Sequence, residues 1–522
     1  MAMTRTCFTL VDVFEARAEA SAGRVAVVDG DRRATYADLH EYAGRLTATL
    51  RHHGVRKGDR VAIFLRRSVD AVAALFATWR AGAVAVILHD ALRTRQTNHI
   101  VEHSEAVCVI TDSRQMLGVP EFPCARIIKI DALEAAADTG EPIPVIGPDL
   151  AALIYTSGST GLPKGVMLSH DNLLSGAQIV ARYLELTERD VTLSILPFSF
   201  DYGLNQALTA MLAGATLVIQ HSLLPNDICG AILKEGITGL AGVPTLWLQL
   251  MGRLSPFLKR EYESLRYITN SGGRLPEQTV RAIRAAHPHL RVYLMYGLTE
   301  AFRSTYLPPE EVDRRPSSMG KAIPNVEILV IDPDGRPCRP GEVGELVHRG
   351  ATVSMGYWRD PESTARVFRP HPLQDFRNGR SELVVFSGDL VTTDDDGYLY
   401  YVGRKDMQIK SRGIRVSPEE VERCLHASNL LVHVVGFAIP RPDGENEIVV
   451  AVVARDPSSF QTDALQDFWR REMPEYMWPR HVWVLTAFPL TSSGKPDRPA
   501  IRQLYVEQHS GTEIAPAAAR TT

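Results

Sequence analysis

Short apolar runs recur along the first half of the chain, at Val25–Val28, Arg60–Leu65, Ala83–Leu88, Ala106–Thr111, Ala151–Tyr155, Val191–Leu196 and Thr216–Gln220. Segments of helical period separate them, and this alternation predicts an α/β fold with parallel sheets. Runs at Gly239–Val243, Tyr267–Asn270 and Arg291–Leu294 extend the pattern. The punctuation then changes. Asp332-Pro-Asp-Gly335 and Asp394-Asp-Asp-Gly397 are tight-turn sequences between short strands, so an antiparallel region is expected to begin near Val326. The longest apolar run, Ala71 to Leu88, is interrupted by Thr78, Arg80 and Gly82 and predicts a buried helix followed by a strand, not a membrane span.

A smaller alternating unit follows Gly403-Arg404-Lys405-Asp406, which places a domain boundary there. Ser417 as N-cap, Pro418 in the first helical position and Glu420 three residues after the cap predict the start of its first helix. The expected organisation is an N-terminal domain over 1–404, a hinge at 405–406, a C-terminal domain over 407–507 and a disordered tail over 508–522. At 522 residues, more than one core is expected.

Charge and cysteine usage narrow the partners. With 57 Lys+Arg against 61 Asp+Glu there is no basic face for a nucleic-acid backbone and no polybasic run for a membrane. The six cysteines lack CxxC spacing, which suggests neither a disulfide framework nor a zinc site. The N-terminus lacks the basic start and long apolar run of a secretory signal, so a cytoplasmic location is expected.

Candidate chemistry concentrates in Tyr155-Thr-Ser-Gly-Ser-Thr-Gly-Leu-Pro-Lys-Gly-Val166, which follows an apolar strand and precedes a helical segment starting near Ser169. Glycines at 158 and 161 let backbone N–H groups approach an anion closely. The hydroxyls of Thr156, Ser157, Ser159 and Thr160, with Lys164, add donors and positive charge suited to a polyphosphate. The stretch is not a Walker A motif.

Together with Thr35-Tyr-Ala-Asp-Leu39, Ser271-Gly-Gly-Arg-Leu-Pro276, Tyr296-Gly-Leu-Thr-Glu300, Gly388-Asp389, Arg404 and Pro489-Leu-Thr-Ser-Ser-Gly-Lys495, this loop resembles the adenylate-forming superfamily. Acyl-CoA synthetases, the adenylation domains of peptide synthetases and firefly luciferase belong to it. The resemblance covers essentially the whole chain. It implies a large N-terminal domain of stacked doubly wound sheets with a small antiparallel barrel-like region, and a small mobile α+β C-terminal domain. It also implies ATP with Mg²⁺, in which Gly158 and Gly161 cradle phosphate, Gly272, Gly273 and Arg274 line the adenine, and Tyr296 and Gly297 pack near it. Thr299 would contact phosphate, Glu300 hold the metal, and Asp389 and Arg404 serve the ribose and phosphate.

Lys495 matches the family's catalytic lysine, and Asp406 its hinge. Ile409-Lys-Ser-Arg-Gly-Ile-Arg-Val416 matches the segment lining the pantetheine tunnel, with Lys410 and Gly413 toward coenzyme A. Leu196-Pro-Phe-Ser-Phe-Asp-Tyr-Gly203 matches the acyl-site segment, which makes Phe200, Asp201, Tyr202 and Ser271 the candidate substrate residues. Many aryl- and fatty-acyl-CoA ligases carry histidine where Phe200 stands. Amino-acid-activating domains keep an ammonium-holding aspartate where Asp201 stands. The expected activity is AMP-forming acyl-CoA ligation. The alternatives are an amino-acid or acyl adenylating enzyme that delivers to a carrier protein, and an enzyme carrying only one of the two half-reactions.

Overall fold

The computed structural model describes residues 7–119, 121–122, 126–133, 141–157, 163–252, 254–374, 382–405, 409–411, 414–416, 418–441, 446–489 and 496–509. The chain forms two compact units, one built mainly from residues up to Lys405 and the other mainly from those after it.

Two sheets dominate the first unit. One has six strands in the spatial order Arg126–Lys129, Ala106–Thr111, Arg60–Phe64, Val84–Ile87, Leu150–Ser157 and Pro163–Ser169. The other has nine: Lys321–Ala322, Ala301–Leu307, Arg291–Leu298, Tyr267–Asn270, Gly239–Gly242, Val191–Ser194, Thr216–Ile219, Val25–Asp29 and Arg32–Thr35. A single apolar cluster joins Ile63, Ile87 and Ile154 of the first sheet to Val27 and Leu217 of the second through the intervening helices. Among these, Val69–Arg80 is buried on almost every face, which accounts for the apolar length of its sequence. Phe14 stacks on Phe76 at 4.3 Å within this layer, and Trp79 donates from Nε1 to the Ala151 carbonyl at 2.8 Å.

Each predicted apolar run carries a strand, and further strands form at Arg32–Thr35, Arg126–Lys129 and Lys321–Ala322, where no apolar run predicts one. Antiparallel pairing occurs before Val326, first where Arg32–Thr35 turns back on Val25–Asp29 and again where Ala301–Leu307 turns back against Arg291–Leu298 with Tyr296 opposite Thr305. The segment Pro163–Ser169 is a strand, and the helix His170–Tyr183 starts after it, capped by Ser169. A third, five-stranded antiparallel sheet holds Val326–Ile331, Gly344–Gly350, Phe368–Pro370, Leu383–Thr393 and Leu399–Arg404. Both expected turns form, with Gly335 and Gly397 at φ +83° and +79°.

In the second unit Leu431–Pro440 pairs antiparallel with Asn446–Ala454, which pairs parallel with His481–Val484. Alternation along Asn446–Ala454 covers both faces of this sheet. Ile448, Val450 and Val452 pack with Val421, Leu425 and Trp469, whereas Val449 and Ala451 pack with Phe437, Trp483 and Tyr505. The helix beginning at Pro418 runs to His426. Its expected cap Ser417, and the tail from 510, lie outside the described residues. No helix among the described residues is long and apolar enough to cross a membrane.

Candidate active site

The strand Leu150–Ser157 carries Tyr155 and Thr156 to the start of the hydroxyl-rich loop. Gly158, Ser159, Thr160 and Gly161 lie outside the described residues, as does the Ser157 side chain. On the returning strand, Gly165 faces the Tyr155 ring so closely that a Cβ there would lie 3.1 Å from it. Lys164 is engaged within its own unit, forming an ion pair of 3.0 Å with Asp360 and donating to Ser363 Oγ. Its Nζ also lies 5.7 Å from the centre of the Tyr357 ring. Burial pushes the Asp360 carboxyl up, but hydrogen bonds from Ser363 and the nearby Lys164 outweigh this and hold it below its ordinary value.

Tyr357 connects this cation to the next motif. Its hydroxyl donates to Glu300 Oε1 at 2.7 Å, and the Ser354 amide donates to the Glu300 carbonyl at 2.9 Å. Thr299 and Glu300 form the turn between Arg291–Leu298 and Ala301–Leu307, and both are buried. No group of three or more potential metal ligands occurs among the described residues. One buried carboxylate suits a hard cation that takes its remaining oxygens from phosphate and water, as Mg²⁺ does.

Tyr296 departs from a simple adenine platform. Its hydroxyl donates to Asp389 Oδ2 at 2.5 Å and its ring stacks on His348, with centroids 5.9 Å apart and planes 11° apart. Asp389 is fully buried, and its amide donates to Ser387 Oγ at 3.1 Å. The backbone of Arg404 lies in register with Asp389, but its side chain is outside the described residues.

Around the expected acyl segment the helix Asp201–Ala213 begins at Asp201 itself, an acidic residue in the first turn, where the helix dipole favours it. Gly203 permits this placement, since a Cβ there would lie 2.2 Å from the Pro197 carbonyl oxygen and 2.6 Å from that of Leu196. Phe200 packs edge-on against Tyr202 at 6.0 Å, and the Tyr202 hydroxyl bonds Thr269. Ser271 is buried after the strand Tyr267–Asn270, Gly272 takes φ +78°, Gly273 lies against Pro244, and Arg274 is exposed.

Arg303 belongs to none of the sequence motifs. Its side chain is 3% exposed, and its Nη2 lies 3.6 Å from Asp201 Oδ2. Its guanidinium stands 5.1 Å from the centre of the Tyr202 ring, and it reaches this position past Gly297, where a Cβ would lie 3.6 Å from Nη1. An arginine within the buried run Ala301–Thr305 was the available signal.

The family profile described as AMP-binding enzyme matches residues 14–358, and the one described as AMP-binding enzyme C-terminal domain matches residues 420–495. This chain belongs to the AMP-binding, adenylate-forming enzymes. A linear gramicidin synthase polypeptide from Brevibacillus parabrevis is 32% identical over 496 residues, which is 94% of this chain and 9% of that protein. The chain thus spans about a tenth of that relative's length. The o-succinylbenzoate CoA synthetase of Bacillus subtilis, solved with a product analogue, superposes with a TM-score of 0.83 at 27% identity, over 94% of this chain and 98% of that one. The same synthetase solved with ATP and a magnesium ion gives a TM-score of 0.68 at 27% identity, over 94% and 99% of the two chains.

In the C-terminal unit of this AMP-binding enzyme, Lys495, Asp406 and Gly413 lie outside the described residues. Lys410 is half-buried in the strand Ile409–Ser411, which pairs with Ile414–Val416 and places it opposite Arg415. Three residues beyond Lys495, Arg498 forms a two-pronged ion pair with Glu422, at 2.6 Å from Nη1 to Oε1 and 2.5 Å from Nη2 to Oε2. Glu422 Oε1 also accepts the Gly436 amide at 2.6 Å. The chain just after the lysine segment is therefore tied to both a helix and the central sheet of its unit.

Proposed function

We propose that this enzyme adenylates an amino acid or a related small acid with ATP and passes the acyl group to a phosphopantetheine thiol. A carboxylate is a poor electrophile. Attack of its oxygen on the α-phosphorus of ATP releases pyrophosphate and makes AMP the leaving group. In the second step a thiolate attacks the acyl carbon, forming the C–S bond as the C–O bond to AMP breaks. The protein's task in both steps is mainly positioning and charge stabilisation.

In this reading Lys164 and the hydroxyls from Thr156 to Thr160 hold the phosphates. Thr299 would contact phosphate and Glu300 would hold the metal, with Tyr357 orienting the Glu300 carboxylate. Mg²⁺, when bound, neutralises charge developing on the pyrophosphate. Tyr296, Asp389 and Arg404 serve the nucleoside, and Lys495 supplies the cation for adenylation. Rotation about Asp406 then brings Lys410 and Gly413 to the thiol.

The observation that carries the amino-acid reading is Asp201, a carboxylate only 4% exposed at the first position of its helix in the acyl segment. Similarity to a peptide synthetase over 94% of the chain supports a carrier-protein thiol as acceptor. The TM-score of 0.83 to a CoA synthetase favours a second reading, in which coenzyme A is the acceptor.

Mass spectrometry tests these readings. The protein is incubated with ATP, Mg²⁺ and a panel of fatty, aryl and amino acids, with CoA, with a phosphopantetheinylated carrier protein, or with neither. Acyl-AMP with amino acids and thioester only on the carrier is the expected result. Acyl-CoA formation would establish the second reading, and absence of acyl-AMP from every acid would refute adenylation of these classes. Lys495→Ala should abolish acyl-AMP formation yet spare thioester formation from supplied acyl-adenylate.

A further inference from the structure

A guanidinium removed from water needs partners for its five N–H donors, and each one left without a partner carries the full cost of desolvation. Arg303 is 97% buried by side-chain area, yet among the described residues neither Nε nor Nη2 makes a hydrogen bond. Its ion-pair partner among the described residues is Asp201, at 3.6 Å, beyond the 2.7–2.9 Å typical of charge-assisted N–H···O bonds. Asn205, one helical turn from Asp201 and therefore on the same face, also has a buried Nδ2 without a hydrogen-bond partner among the described residues. Donors with unused capacity thus sit on Arg303, over the Tyr202 ring, and on the helix that carries Asp201. A water molecule cannot supply the negative charge that a loosely paired buried cation attracts.

We propose that the acid adenylated here bears a second anionic group, a carboxylate not consumed in the reaction, which seats on Arg303. This rests on the adenylation reading above and specifies its substrate class: small dicarboxylic acids, and foremost amino dicarboxylic acids. The fixed Asp201–Arg303 dipole is complementary to an ammonium and a carboxylate carried together. A carboxylate at Arg303 completes the bidentate geometry that Asp201 leaves open. An ammonium beside Asp201 relieves the repulsion between the two carboxylates.

The test is ATP–pyrophosphate exchange by the full chain with succinate, glutarate, aspartate and glutamate. Each is set against the isostere in which a methyl group replaces one carboxylate: butyrate, valerate, 2-aminobutyrate and norvaline. At least one dicarboxylic acid should exceed its isostere by about 100-fold or more in kcat/KM, the scale expected when a buried polar group of the site is left unpaired. Arg303→Gln should erase that preference while leaving the KM for ATP unchanged, and Arg303→Lys should restore part of it. Equal or better exchange with the neutral isosteres overturns the anionic subsite and leaves adenylation standing. Exchange with no acid in the panel overturns the dicarboxylic substrate class, and the wider mass-spectrometric panel then decides adenylation itself. Because the wild-type comparison needs no variant, poor folding of Arg303→Gln does not shield the proposal.

Discussion

Placing a methyl group on Gly203 probes how tightly the start of the helix Asp201–Ala213 is held. The added Cβ would lie 2.2 Å from the Pro197 oxygen and 2.6 Å from the Leu196 oxygen, both backbone atoms that no rotamer change can move. Ordinary carbon contacts lie near 3.5 Å, so the first helical turn must retreat by about 1 Å. Overpacking of this kind costs about 1–3 kcal/mol of stability. The same turn carries Asp201 and Tyr202, and a displacement of about 1 Å at a positioning group lowers a rate by roughly 100-fold. Gly203→Ala is therefore expected to lose about two orders of magnitude in kcat/KM for the acid, read by pyrophosphate exchange, while the KM for ATP stays the same. Gly230→Ala is the control. It lies within the helix Pro225–Glu235 with nothing within 4 Å of the added Cβ, so the same substitution should stabilise the fold by about 0.5–1 kcal/mol. A folded Gly203→Ala protein with kcat/KM within about two-fold of wild type would refute the link between this close contact and the placement of Asp201.

Tyr357→Phe removes the donor to Glu300 and should cost about 1.5–3 kcal/mol in urea unfolding, the size of a hydrogen bond to a charged group. It should also raise the Mg²⁺ concentration for half-maximal exchange roughly tenfold, as loss of a group orienting a metal-binding carboxylate does; an unchanged Mg²⁺ titration would exclude that role. Glu422→Gln breaks the two-pronged pair with Arg498 and should destabilise the C-terminal unit by about 2 kcal/mol, discounted for the part-exposed arginine. Faster hydrogen exchange at the Gly436 amide would report it, and unaltered protection would count against it. Burial pushes the His170 imidazole down to about 4 from 6.5, so the unfolded chain binds the proton first on acidification. Its contribution is complete above about pH 6.5 and is lost as pH falls toward 4, with a full size near 3 kcal/mol. Unfolding free energies at pH 7 and 5 should differ less in His170→Gln than in wild type, and an identical pH slope would show that another group dominates.

Elements whose cause is local are written directly in the amino-acid sequence. The runs that became buried strands are apolar because both faces of each sheet are covered, and the turns at Gly335 and Gly397 need a residue that adopts positive φ. The loop from Tyr155 to Val166 stands out in the sequence by its interleaved glycines and hydroxyls, whereas the turn at Thr299 and Glu300 and the segment Phe200–Tyr202 are singled out by resemblance to a family and not by their local composition. The strand Pro163–Ser169 is not legible in the sequence. Its backbone bonds run to distant partners, with the Met355 amide on the Met167 carbonyl and the Trp358 amide on the Gly165 carbonyl, and its own composition carries weak strand propensity. Long-range packing alone set the pairs of the candidate site: Tyr357 with Glu300, Tyr296 with Asp389, Lys164 with Asp360 and Arg303 with Asp201. Each joins residues far apart in the chain, and nothing local in either partner names the other. A sequence reports which charges a fold must accommodate, whereas the distance and burial that turn two of them into a site arise only when the strands and helices carrying them are packed together.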